Sequence, residues 1–348
     1  MVKKVIGGLA TFSLCMAILS GCGQKSAENN NSISEASIEE STDTASSAEA
    51  EGVVVRVGSL KGPTTMGLVN LMKDAEDGEA EGSYEFEMSA MPDEIAAKIV
   101  SGDLDIALIP ANLASVLYNK TEGKISLVDI NTLGVLYCVS GDDSIKGMED
   151  LSGKEVIMTG QGATPEYAFK YLCDKYEVTD CVPVFKSEAT EIAAVLKEDS
   201  SKVAILPQPF ATSCAVQNKA LHINFSLTGE WEKVSEDSKL LTGVTVVRNE
   251  FLDEHRDAAI LFLSEHEKST KVAESKYAET AELVADYGII EKKEIAEAAL
   301  TQCNIVCISG DDAKTYLSGF LQVLYDQDPK SVGGKLPGDD FYDNLSKQ

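Results

Sequence analysis

The sequence predicts an α/β protein of two lobes, each a mainly parallel sheet flanked by helices, joined by two crossing strands. Three observations carry this. From residue 53 onward, short apolar runs alternate with amphipathic stretches in strand, loop, helix order, the pattern of parallel βα units. The stretch from there to the C-terminus is about 300 residues, long for a single hydrophobic core. Two extended apolar runs, near 135–139 and 241–246, stand where the chain would pass between lobes and return, and a pair of such crossings makes a hinge.

The N-terminus precedes this folded region. Lys3 and Lys4 are followed by an apolar stretch over 5–19, shorter than the roughly 20 apolar residues a membrane span needs, so residues 1–21 are expected to be a secretory leader. Leu19-Ser20-Gly21-Cys22 resembles the bacterial lipobox, whose cysteine receives a diacylglyceryl group and becomes the first residue of the mature chain. That resemblance implies lipidation at Cys22, and two or more acyl chains hold a protein stably at a membrane. The rest of 22–52 is Ser, Glu, Ala and Asn with almost no large apolar side chain, so a flexible tether is expected.

The folded region opens with a β-branched run at 53–57, then Gly62-Pro63-Thr64 leads into an amphipathic helix with Met66, Leu68, Val69 and Met72. Tyr84, Phe86 and Met88 alternate as in a half-buried strand, and helical spacing follows over 92–100. The run at 102–110, Gly-Asp-Leu-Asp-Ile-Ala-Leu-Ile-Pro, reads as a strand buried on both faces, and Pro110-Ala111-Asn112 opens the next helix. The second lobe carries a strand at 156–158, a Gly-rich loop at 160–165, a helix over 166–176 and a buried strand at 203–206 ending in Pro207-Gln208-Pro209. Trp231 is expected in a loop before the second crossing, and helices at 251–273, 278–287, 292–300 and 313–325 return to the first lobe. The expected boundaries are 53–137 with 245–348 for lobe one and 138–244 for lobe two.

Composition narrows the function. A formal charge of −27 argues against nucleic-acid binding, which needs clustered Lys and Arg, and 44% hydrophobic content is that of a globular domain. Six of the eight cysteines lie beyond Cys22, with Cys173/Cys181 and Cys303/Cys307 the nearest pairs; in an exported chain they can be free or paired. His222, His255 and His266 neighbour no cysteine pair, so no metal and no cofactor are expected. Asp103 and Asp105 read as solvated or capping groups at a strand start.

The order of these segments identifies a resemblance. An early Gly-Pro-Thr loop, "SGDLDIALIP", "LSGKEVIMTGQGATPEY", "VAILPQP" and "GVTVVRNEFLDEH" together resemble the type II periplasmic-binding-protein superfamily, and within it the NMT1/THI5-like, sulfonate, taurine and nitrate group of ABC-transporter binding proteins. The likeness spans roughly 53–347. It implies the two-lobe fold, lipoprotein export to the outer face of the cell membrane, and an expected monomer that delivers a small-molecule solute to an ABC permease. The wider group includes pyrimidine-precursor binders with a cysteine-rich motif that this chain lacks.

By position, the resemblance places solute contacts at Lys61, Thr64, Thr65 and Met66, at Pro110, Ala111 and Asn112, at Gly160, Gln161, Gly162 and Thr164, and at Gln208, Pro209 and Phe210. The residues suit the role. Ligands of open α/β sheets sit beyond the carboxyl ends of strands, where helices begin with free N–H groups. Thr64, Thr65 and Thr164 offer hydroxyls, although Thr before a helix is also a common cap. Lys61 is the one cation in these loops and suits a sulfonate or carboxylate; Asn112 and Gln208 suit a neutral polar group; Met66 and Phe210 suit an apolar wall. The alternatives are a lipid-tethered sensory protein or an α/β enzyme. For the enzyme, the chain has no Gly-x-Ser-x-Gly elbow, no His-Glu-x-x-His helix and no P-loop.

Overall fold

The structure, a computed structural model, describes residues 52–342. The expected leader, Cys22 and all but the last residue of the tether lie outside the described residues. Among those described, no helix is long and apolar enough to cross a membrane.

Two sheets form, each flanked by helices. The first begins with β1 (Val54–Leu60), a short helix α1 (Pro63–Met66), α2 (Val69–Asp77), β2 (Ser83–Ser89), α3 (Pro92–Ser101), β3 (Ile106–Pro110), α4 (Ala111–Lys120) and β4 (Ile125–Leu133). The chain then enters the second sheet through β5 (Leu136–Ser140), β6 (Glu155–Met158), α5 (Thr164–Lys175), β7 (Val182–Phe185), α6 (Ala189–Glu198), β8 (Val203–Pro207), α7 (Phe210–Gln217), β9 (His222–Ser226) and α8 (Leu227–Val234). It returns with β10 (Leu241–Arg248), followed by α9 (Asn249–Glu254), α10 (Arg256–Ser275), α11 (Tyr277–Asp286), α12 (Lys293–Leu300), β11 (Ile305–Ser309) and α13 (Gly310–Gln327). The sheet orders are β11-β4-β10-β3-β1-β2 and β7-β6-β8-β5-β9.

The parallel βα units occupy part of each sheet: β1 pairs in parallel with β2 and β3, and β6 with β7 and β8. The strands that lead between sheets pair antiparallel, β10 with β3 and β4, and β5 with β8 and β9. Both sheets are therefore mixed rather than mainly parallel, because each crossing strand must enter or leave against the direction of the βα repeat. The boundaries expected at 137 and 245 fall inside β5 and β10. The change of sheet is instead at Gly134–Val135 and between α8 and β10, which the unbroken apolar run at 132–139 concealed.

At the first crossing, space dictates a glycine. A Cβ on Gly134 would lie 2.5 Å from both Leu240 Cγ and Thr228 Oγ1. That close approach lets Gly134 N–H donate to Leu240 O at 2.6 Å, so the two crossings run side by side. Tyr137 on β5 donates its hydroxyl to Gln302 O at 2.7 Å, and burial pushes its phenol up to about 12.

One helix expected at 251–273 is broken at His255 into α9 and α10. Trp231, expected in a loop, lies within α8 and is fully buried. Helix α13 packs on β4, α4 and α5, and a single apolar cluster runs from Ile130 and Leu136 to Trp231, Leu240 and Phe320, covering residues of both sheets.

Asp105, read from sequence as solvated or capping, is buried at the start of β3. It accepts from Arg56 Nε at 2.8 Å, Arg56 Nη2 at 2.6 Å and Arg248 Nη2 at 3.1 Å. It joins β1, β3 and β10 at the end of the sheet away from the carboxyl ends of β1 and β3. Asp103 is exposed, as expected, and accepts from Ser101 Oγ at 2.6 Å.

Candidate functional site

Three helix starts meet at the carboxyl ends of the strands. Helix α1 follows β1, α4 follows β3 without a loop, and α5 follows β6 on the other sheet. Their N-cap residues are Gly62, Pro110 and Ala163, none of which has a side-chain oxygen, and no side-chain cap is made at any of them. At a helix start the first N–H groups lack intrahelical partners, and the peptide dipoles favour negative charge there. The two longer helices, α4 and α5, thus present donors from opposite sheets.

Between them lies a cavity of about 280 Å³. The first sheet contributes Leu60, Lys61, Thr64, Pro110, Ala111 and Asn112; the second contributes Leu136, Thr164, Pro165 and Pro207. Gly134 and Val135 line it from the first crossing, Leu240, Leu241 and Thr242 from the second, and Phe320 from α13. The lining is mostly apolar, with Lys61 its single ionisable side chain. A wider, more polar depression of about 770 Å³, lined by Gly102, Lys124, Arg248 and Glu250 among others, opens at the opposite ends of these strands.

Of the residues picked out by sequence, Lys61, Thr64, Pro110, Ala111, Asn112 and Thr164 converge on the cavity. The others do not line it. Thr65 is fully buried, its hydroxyl facing Ser59 Oγ at 2.9 Å and Leu60 O, and Met66 belongs to the core behind the sheet. Gly160 and Gly162 have φ of 83° and 70°, and fold the loop onto its own helix, where Gly162 N–H donates to Glu166 Oε2 at 2.6 Å. Gln161 is exposed on that loop, so Thr164 and Pro165 face the cavity instead. The backbone of Gln208 donates to Val135 O at 2.9 Å, which extends the β5–β8 pairing and leaves Pro207 at the cavity wall. The Gln208 side chain is buried with Oε1 accepting from Thr212 N–H, Pro209 caps α7, and Phe210 begins that helix 39% exposed.

Neither threonine after β1 acts as a cap. Thr64 Oγ1 donates to Leu60 O at 3.0 Å, which fixes the turn and points the rest of the side chain toward Gly243 on β10, where a Cβ would come within 2.5 Å of Thr64 Cγ2. Asn112 Nδ2 donates to Ser331 O at 3.3 Å, beyond the end of α13. That C-terminal segment also reaches the second sheet's side. Gln327 Nε2 donates to Tyr167 O at 2.8 Å, and the Tyr167 hydroxyl faces Asp328 Oδ2 at 3.1 Å, its phenol held up by burial and then by that carboxylate.

The sequence marks neither the two crossings nor Leu60, Pro207 and Phe320 as cavity walls. As sequence the crossings read as a hinge between lobes, and Phe320 sits in a helix whose periodicity gives a buried face without saying which lobe it buries against.

Phe320 also links the cavity to a natural probe. Trp231, the single tryptophan, has ring centroids 6.0 Å from Phe320 and 4.3 Å from Tyr171, and its Nε1 donates to Ser238 Oγ at 2.9 Å. We expect a blue-shifted emission poorly quenched by acrylamide, and a saturable intensity change when a solute fills the cavity. A fluorescence titration checks this, with Trp231→Phe as the silent control; red-shifted, readily quenched emission would contradict the burial.

Two lobes with a cavity at the carboxyl edges of both sheets define the architecture of a two-lobe binding protein. The chain belongs to the family described as "Menaquinone biosynthesis", whose model matches residues 63–301, within the NMT1/THI5-like part of the type II periplasmic-binding-protein superfamily. No match is found among curated protein sequences. Among solved structures, the chain is similar to an ABC transporter protein from Parabacteroides distasonis at 23% identity and a TM-score of 0.72, over 85% of this chain and 99% of that one. It is also similar to the periplasmic aliphatic sulphonate binding protein SsuA from Escherichia coli, at 12% identity and 0.64 over 85% and 99%. A third is the ligand binding component of an ABC-type import system from Staphylococcus aureus, at 15% identity and 0.62 over 85% and 98%. At these identities the likeness is one of fold.

Proposed function

We propose that the chain is the extracytoplasmic solute-binding subunit of an ABC importer, held at the outer face of the membrane through lipidated Cys22, and acting as a monomer that delivers its solute to the permease. The observation that carries this reading is the cavity shared by both sheets and both crossings, with helix starts from opposite sheets directed into it. The solved structures of similar fold named above include two transport binding components, which supports it.

The lining narrows the solute. A small, mostly apolar cavity with one lysine and the hydroxyl and amide groups of Thr64, Thr164, Thr242 and Asn112 suits a compact organic molecule with an apolar body and one anionic or polar end, such as a sulfonate or carboxylate. Solute bridging the two sides favours the closed arrangement by its differential affinity for that form, and the paired crossings serve as the hinge.

The family's description favours a second reading, a biosynthetic enzyme built on the same cleft. Against it, the lining has no carboxylate, imidazole or thiol, so a general acid or base would have to be Lys61 alone.

One experiment separates the two. The protein is screened by thermal shift against aliphatic and aromatic sulfonates, carboxylates and nitrate, and any hit is recovered and analysed by mass spectrometry. Binding predicts a saturable 1:1 interaction that adds about 2.7 kcal/mol at a hundred times the dissociation constant, with the solute recovered unchanged. Conversion of the solute would favour the enzyme, and no stabilisation across the panel would count against the proposed solute class.

A further inference from the structure

A cluster of metal-ligating side chains lies in the first sheet, apart from the cavity. Asp129 on β4, His266 on α10 and Cys307 on β11 bring one ligand atom each to within 4.8 Å of one another. They are separated in sequence by 137 and 41 residues, and three different elements assemble them.

The local structure explains how they meet. Strand β11 pairs with β4 through a register shift, Ile305 opposite Thr132 but Ile308 opposite Ile130. This places Val306 and Cys307 together against Asn131, so the pair bulges, and Cys307 reaches diagonally to Asp129, the residue opposite Ser309. From the other side α10 lays His266 onto the same carboxylate. Asp129 Oδ2 faces His266 Nδ1 at 3.1 Å and Cys307 Sγ at 3.7 Å, while its Oδ1 accepts from Thr245 Oγ1 at 2.8 Å. Thr245 is in turn held by Asn131 Nδ2 at 3.1 Å.

These separations match the spacing of ligands around one ion. With zinc–ligand bonds of the usual length in a tetrahedron, nitrogen and oxygen ligands stand about 3.4 Å apart and sulfur and oxygen about 3.6 Å apart. The two pairs that share Asp129 Oδ2 differ from those values by no more than a few tenths of an ångström. A thiolate, a carboxylate and a neutral imidazole supply two negative charges, which a dication neutralises.

The surroundings fit as well. Asp129 and His266 are fully buried, whereas Cys307 is half-buried and is the most exposed corner of the cluster. The carboxylate is oriented by Thr245, as outer partners orient ligands in metal sites. His266 Nε2 and Thr270 Oγ1, one helical turn apart, are both buried without a protein partner. Both flank Gly67: a Cβ there would stand 4.0 Å from Nε2 and 3.3 Å from Oγ1. Ile305 Cγ2 would stand 2.8 Å from that Cβ, so the glycine allows a close approach of the chain to α10 beside the ring nitrogen.

We propose that Asp129, His266 and Cys307 form a binding site for one divalent transition metal ion of the zinc class, with solvent as the fourth ligand. It ties α10 and β11 to β4 a few residues before the chain leaves the first sheet at Gly134, and it does not depend on the identity of the solute.

Cobalt(II) titration tests this on the full chain, stripped with chelator and kept reduced. The expected result is one Co²⁺ per chain, with a near-ultraviolet thiolate-to-cobalt charge-transfer band and the visible bands of four-coordinate cobalt, displaced by Zn²⁺, which also raises the melting temperature. Cys307→Ser should abolish the charge-transfer band, and Asp129→Asn should weaken affinity by about 100-fold or more. Cys307→Ala provides the same test should the serine variant fold poorly, and the metal-free melting temperature of each variant reports its folding. The absence of a saturable band, or a band that persists without the Cys307 thiol, would overturn the proposal.

Discussion

Thr164→Trp should lower solute affinity by about 100-fold or more, equivalent to about 2.7 kcal/mol, with little change in the stability of the solute-free protein. Thr164 is the first residue of α5, partly exposed, and lines the cavity from the second sheet. An indole placed there fills space that the solute would occupy and holds the two sides apart. The control is three residues away: Gln161 lies exposed on the same loop and does not line the cavity, so Gln161→Trp should leave affinity within about twofold. Isothermal titration of both variants with the same solute checks the pair. Equal effects of the two substitutions would remove Thr164 from the site.

The largest stability effect is expected at Asp105. Its carboxylate is 3% exposed and receives both Arg56 and Arg248, so Asp105→Ala leaves two guanidinium groups without their shared partner, one of them substantially covered. Removing one member of a fully buried pair costs about 3 kcal/mol or more; with Arg56 38% exposed and Arg248 still paired to Glu250 at 2.7 Å, a loss of about 1–3 kcal/mol is expected. Denaturant unfolding at neutral pH measures it. The pH dependence gives an independent check. Burial by itself would raise the Asp105 carboxyl, but the hydrogen bonds from the Arg56 side chain and backbone and from Arg248 outweigh it and hold the group below its usual 3.8. A depressed pKa contributes stability that is fully present above the unfolded value and is lost as pH falls through the folded one. The deficit of Asp105→Ala should therefore be constant above about pH 5 and shrink as the pH is taken below the ordinary carboxylate range. A deficit that grew in acid would contradict the assignment.

The fold was legible where local pattern and tertiary role coincide. Strands such as β1, β3 and β8 are short and mostly apolar, with Gly62-Pro63, Pro110 and Pro207 at or just beyond their ends, so both their existence and the helix starts after them are readable directly. The same feature points to Thr64, Ala111 and Thr164, which line the cavity at the carboxyl ends of the strands, where open α/β sheets place their clefts. Legibility failed where the decisive contact is distant in sequence. Strand β11 was hidden in a helical tail, since five residues between two helices carry too little periodicity, and its place is set by pairing with β4. Asp105 reads as a turn residue until β10 brings Arg248 beside it. The histidines and cysteines carry no short-range spacing, and only the β11 bulge sets Cys307 against Asp129 and His266. The side of each loop residue was also unreadable: Gly160, Gln161 and Gly162 occupy the expected loop, but two left-handed glycines turn it away from the cleft.

Whether solute is held by both sheets at once is read out by amide hydrogen exchange with and without a solute from the thermal-shift screen. Joint slowing is expected around Thr64 and Ala111 on one side, Thr164 on the other, and Val135 with Thr242 in the crossings. Slowing restricted to one sheet, or centred on Gly102 and Arg248 at the far strand ends, would contradict it.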